Sequence, residues 1–89
     1  MAYDIVSPEQ FLSEELFRED EFLENTRKYD WEQHRNKKVL VRGCGNIIAP
    51  PWAFMVITAK LTGVARSVIY GNEHDNVVVH RKAKDRQRT

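Results

Sequence analysis

A small α/β fold is predicted: a three-stranded mixed sheet with a parallel β-α-β unit, an antiparallel C-terminal strand and N-terminal helices. Three features predict it. Two strand-like runs, Val39-Leu40-Val41 and Val68-Ile69-Tyr70, flank an apolar segment punctuated by Pro51 and Gly63. A third run, Val77-Val78-Val79, follows the turn-rich stretch Gly71–Asn76. Strand, helix and strand within about thirty residues call for a parallel pair with a crossover, because a tight turn cannot join parallel strands.

The chain opens with Ser7-Pro8-Glu9-Gln10, which reads as a helix start. Ser7 is placed as N-cap, Pro8 at the first helical position, and Gln10 where it can close a capping box. A short helix to about Ser13 is expected. Phe22, Thr26 and Tyr29 then recur at i, i+4 and i+7, so one side of a helix over 18–29 can face a core, with Glu24 and Lys28 paired on its wet side. Asp30-Trp31-Glu32-Gln33 repeats the capping pattern and predicts one more helical turn that buries Trp31.

Val39–Val41 lies between Asn36-Lys37-Lys38 and Gly43-Cys44-Gly45, and a continuous β-branched run of this kind reads as a strand covered on both faces. Pro51 suits the first position of a helix over 51–62, and Gly63 reads as its left-handed C-cap. Only Thr58, Lys60 and Thr62 are polar beyond Pro51 in that helix, so it should be buried on more than one side. The strands are expected near 39–42, 67–70 and 77–80, the last folding back as a hairpin.

At 89 residues, 42% hydrophobic and 30% charged, the chain has the make-up of one folded domain rather than of a disordered segment. Residues 1–80 are read as that domain and 81–89 as a basic, frayed tail. A single cysteine excludes an internal disulfide and any zinc site of several thiolates, and a reducing compartment fits it. No basic leader precedes an apolar run, and no run approaches the roughly 18 apolar residues that span a bilayer. A cytoplasmic location without membrane contact is therefore expected. Charge is segregated: residues 1–24 hold eight acidic side chains against Arg18, whereas 81–89 hold five basic ones against Asp85. That tail lacks interleaved aromatic rings for stacking on bases, which argues against nucleic acid as a partner.

The loop between the first strand and helix 51–62 supplies the ligand-binding candidates Gly43, Cys44, Gly45, Asn46 and Trp52. A Gly-x-Gly after a strand invites a dinucleotide reading, but Ile48 replaces the third glycine and Pro50-Pro51 delays the helix. No cofactor is expected. Cys44, near a helix N-terminus at the carboxyl end of a strand, is the candidate catalytic residue of a thiol enzyme or sulfur carrier. Against that stands the ordinary role of a lone cysteine as a small packed hydrophobe, which is the favoured reading. His34, His74 and His80 are too scattered for metal-ligand spacing, and no metal is expected.

Arg42-Gly43-Cys44-Gly45-Asn46-Ile47-Ile48-Ala49-Pro50-Pro51-Trp52-Ala53-Phe54-Met55, continued by Ala65-Arg66-Ser67-Val68-Ile69-Tyr70-Gly71, resembles the bacterial domain-of-unknown-function family 2480. Upstream, Leu16-Phe17-Arg18-Glu19-Asp20-Glu21-Phe22 and Tyr29-Asp30-Trp31 are similar to that family's Leu-x-Arg-Glu-x-x-Phe and His-Asp-Trp segments. The resemblance covers residues 16–71. Members of the family are longer than this chain, and the resemblance implies no activity.

The leading functional expectation is a non-enzymatic module that binds itself or a partner. A helix on a sheet buries one stripe, yet Trp52, Met55 and Val56 spread beyond the face of Phe54, Ile57 and Leu61. These three are the interface candidates of an expected homodimer, with the acidic N-terminal region meeting basic residues of the other subunit.

Overall fold

Val39, Leu40 and Val41 are all buried to within 1% of their surface, because they sit in a central strand. The computed structural model of the chain describes residues 3–43 and 48–82. Its four strands are β1 (Asp4–Val6), β2 (Lys38–Arg42), β3 (Ser67–Gly71) and β4 (Asn76–Arg81), in the order β1-β2-β3-β4. β1, β2 and β3 run parallel and β4 returns antiparallel to β3. The parallel pair, its crossover helix and the hairpin are as the sequence predicts.

The number of strands is not. Asp4-Ile5-Val6 pairs with Val39-Leu40-Val41 and makes the sheet four-stranded, so the N-terminal region contributes a strand as well as helices. Without β1, strand β2 would be an edge; with it, β2 is hydrogen-bonded on both sides.

Between β1 and β2 lie a 3₁₀ turn (Pro8–Phe11), helix α1 (Glu19–Lys28) and a second 3₁₀ turn (Trp31–His34). Ser7 N–H donates to Gln10 Oε1 at 3.0 Å, one half of the expected capping box. At the second turn Asp30 Oδ1 accepts from Glu32 N–H at 3.2 Å, but the Gln33 amide donates to the Asp30 carbonyl instead of accepting from its N–H. Helix α1 buries Phe22 and Thr26 and leaves Tyr29, just past its end, half-buried. Lys28 reaches Glu24 at 3.4 Å on the exposed side.

Helix α2 (Pro51–Thr62) connects β2 to β3 and presents Ala53, Ile57 and Leu61 to the sheet. They meet Val6, Val39, Val41 and Val68 from one sheet face and Phe11 and Phe22 from the N-terminal layer, in a single core. Fully burying each of the larger side chains contributes about 1.5–3 kcal/mol. Gly63 departs from expectation: its φ of −85° and ψ of −13° are right-handed, so α2 ends without a left-handed cap. Its last turn is closed instead by Val64 and Ala65 N–H donating to the Leu61 carbonyl, at 3.0 and 2.8 Å. The sheet reaches one residue past the expected domain limit, through Arg81, and Lys82 N–H donates to the Arg66 carbonyl at 2.8 Å.

Candidate functional site

An aromatic cluster decides which parts of α2 stay open. Phe17 and Phe22 stand edge-on to Trp52, with ring centroids 5.5 and 5.8 Å away. Trp52, half-buried, is thereby engaged by the chain's own N-terminal layer, and Val56 packs at the margin of the same core. On the opposite flank Phe54 meets Tyr70 of β3 edge-on at 5.4 Å. Met55 lies between these flanks and is 69% exposed.

From Met55 a shallow groove of about 340 Å³ runs to the sheet edge, lined by Phe54, Met55, Thr58, Ala59, Tyr70 and Val79. It reaches β4 at Val79; Val77, paired with Tyr70, and Val79 are 58 and 48% exposed, while Val78, paired with Ile69, is 46% exposed on the other face of the sheet. Among the described residues Thr58 and the Tyr70 hydroxyl are the groove's only side-chain polar groups, so its chemistry is that of an apolar contact surface. It has no nucleophile, acid–base pair or anion cradle. Tyr70 and Val79 come to this surface through the β3–β4 hairpin; in the sequence nothing but their place in two strand-like runs connects them with Met55.

The loop candidates fare differently. Gly43 is exposed, and a Cβ added there would meet nothing within 4 Å, so no close backbone approach requires a glycine. Cys44, Gly45 and Asn46 lie outside the described residues. Among the described residues no group of three His, Cys, Asp or Glu side chains could hold a metal ion, and no helix is long and apolar enough to cross a membrane.

A partly buried polar chain that sequence reasoning missed links β1 to the second 3₁₀ turn. Asp4 Oδ2 lies 2.7 Å from Nδ1 of His34, whose Nε2 is 2.8 Å from the Tyr29 hydroxyl. The carboxylate can only accept, so Nδ1 donates to it, and in that tautomer Nε2 accepts from the phenol. Carboxylate, imidazole and hydroxyl in line is the layout that activates a nucleophile. Here the hydroxyl belongs to a tyrosine that burial pushes above its ordinary pKa of 10.0, only partly offset by the Gln10 side chain. Its ring is also wedged between Phe11 and Trp31, centroids 5.1 and 4.6 Å away. The group is a poor nucleophile and a good pin: it fastens the three-residue β1 to the end of α1. Only the position of His34, three residues after Trp31 in a predicted helical turn, hinted at its burial.

Because the folded state binds the Tyr29 proton more tightly than the unfolded chain, this contribution is complete below pH 10 and is lost as pH rises through the raised pKa. Tyr29→Phe is expected to cost about 1–3 kcal/mol at neutral pH, since Nε2 of His34 loses its donor. It should also flatten the alkaline loss of stability, which urea titrations between pH 8 and about 11.5 measure. Equal slopes for both proteins would refute the pin.

No curated protein and no solved structure matches the chain. Residues 1–85 match the family described as Protein of unknown function (DUF2480), and with nearly its whole length matched the chain belongs to that family.

Proposed function

We propose that this domain is a non-enzymatic module that associates with itself, through the open side of α2 and the β4 edge. One observation carries the reading: an apolar surface runs from Met55 over Tyr70 to Val79 of the edge strand β4, where Val77 and Val79 are 58 and 48% exposed. Single exposed apolar residues are ordinary, but a contiguous patch beside an unpaired edge is a contact site. Covering each large side chain contributes up to about 1.5–3 kcal/mol, comparable to a large share of the net stability of a domain this small. Twofold association is the commonest closed arrangement.

Of the three residues expected at the interface, Met55 carries this surface. Val56 and Trp52 sit at the margin turned towards the N-terminal layer. Met55→Asp adds a charge where the monomer is already wet, so the fold should be unaffected, while association should weaken about 30- to 100-fold, or about 2–3 kcal/mol. Sedimentation or light scattering over a concentration series is the test. Wild type should have a dimeric mass at tens of micromolar and the variant a monomeric one. A monomeric wild type, with unfolding independent of concentration, would overturn the reading.

A further inference from the structure

Resting on that reading, we infer that two copies join by antiparallel pairing of their β4 strands about a twofold axis at Val78, so that the two four-stranded sheets become one. Among the described residues both edges of the sheet are unpaired, and they differ. β1 has three residues and is followed directly by Ser7-Pro8, which ends its reach. β4 has six residues, and its Val77-Val78-Val79 centre has neither charge nor proline, so the one device against edge pairing that it carries is a bulge. A register irregularity lies opposite Val68 and Ile69: Ile69 pairs with Val78 and Val68 with His80, so Val79 stands between them without a partner on β3. That extra residue increases local twist but leaves Asn76 to Val78 in regular register.

Charge selects the partner and the direction. The β4 hairpin begins at an acidic end, Glu73 and Asp75, and finishes at a basic one, Arg81 and Lys82. Antiparallel pairing centred on Val78 sets Val77 opposite Val79 of the second copy and Asp75 opposite its Arg81, at both ends of the shared ladder. Opposite charges facing across strands stabilise, and like charges destabilise. Parallel pairing would place acid on acid and base on base. A strand with its charges arranged in this way is complementary to itself, which is why the occupant is a second copy rather than another strand. The twofold axis stands perpendicular to the sheet, so both α2 helices lie on one side and the two Met55-lined grooves face each other across the joined strands. A specific interface needs about 1,000 Å² or more in total, which is on the order of a tenth of each protomer's 5869 Å² surface.

Two measurements on the full chain test the mode separately from association itself. With Cys44→Ser as background, Val78→Cys places thiols face to face across the axis, where directly opposed strand residues have Cα separations within disulfide reach. Mild oxidation should give a disulfide-linked dimer, whereas Ile5→Cys on the β1 edge should not. Independently, Asp75→Lys and Arg81→Asp should each weaken the dimer about tenfold, and the double variant should restore it. If wild type sediments as a dimer but Val78→Cys stays unlinked and the charge reversals change nothing, the copies meet by another surface and this inference falls while self-association stands. A monomeric wild type removes both.

Discussion

Phe22→Ala is expected to remove about 3–5 kcal/mol of stability, the usual range for emptying a fully buried phenylalanine site. Phe22 has no exposed surface. It joins the layers: Phe11 stands edge-on at 5.8 Å, Phe17 is tilted at 5.2 Å and Trp52 is edge-on at 5.8 Å. Truncation therefore leaves a void where the 3₁₀ turn, the segment before α1 and the first turn of α2 meet, and none of the three can close it without leaving the sheet. A domain of 89 residues has a net stability of only about 4–13 kcal/mol. The variant should accordingly be partly or wholly unfolded by circular dichroism at 25 °C, with a urea midpoint far below wild type. Leu23→Ala, one residue on and on the exposed side of α1, should shift the midpoint little. Similar small losses for both would mean that the N-terminal layer is not integral to the core.

The β2-α2-β3 unit was legible because its signals are local. Valine runs end in glycine and polar residues, and Pro51 marks where the helix begins. β1 was not legible, since three residues carry no usable period and their pairing partner, Val39–Val41, lies more than thirty positions away. The two valine runs show the limit most clearly. Val39-Leu40-Val41 and Val77-Val78-Val79 are nearly alike as text, yet the first is buried on both faces and the second is half open. Strand order makes the difference, and composition does not encode strand order. The candidate surface was legible at Met55, as apolar surplus on α2. Its continuation through Tyr70 and Val79 required the hairpin, and the engagement of Trp52 required knowing where Phe17 falls. The Asp4–His34–Tyr29 chain joins positions 30 residues apart at the rim of the sheet, and no spacing rule anticipates such a pair. Gly63 shows the converse error: a glycine after a helix was read as a conformational need, and the backbone there is one that any residue can adopt.

Gly71→Ala should have the second largest effect, a loss of about 3 kcal/mol, and it should act on the β4 edge specifically. Gly71 has φ +139°, a region that side chains other than glycine's rarely occupy and that costs about 1–3 kcal/mol when they do. A Cβ there would also lie 2.3 Å from the Asp75 carbonyl oxygen and 2.8 Å from Asn76 Cα, both backbone atoms that no rotamer change can move. The surrounding turn has little room to adjust. Asn72 Oδ1 accepts from the N–H groups of His74 and Asp75 at 2.8 Å each, Asn72 N–H donates to the Asp75 carbonyl at 3.1 Å, and Asn76 Nδ2 donates to the Asn72 carbonyl at 2.8 Å. To admit the methyl group, the hairpin must give up several of these bonds and open the Gly71–Asn76 pair that begins the β3–β4 ladder. Gly63→Ala is the matched control, since its φ is −85° and a Cβ there meets nothing within 4 Å. It should be neutral or add about 0.4–1 kcal/mol by restricting the unfolded chain. Urea midpoints of the two variants measure the difference, and amide exchange locates it. Faster exchange confined to Asn76–Arg81 in Gly71→Ala, together with weaker self-association, is the expected pattern. Stability within about 1 kcal/mol of wild type would show that the hairpin can adopt a turn that tolerates a side chain at this position.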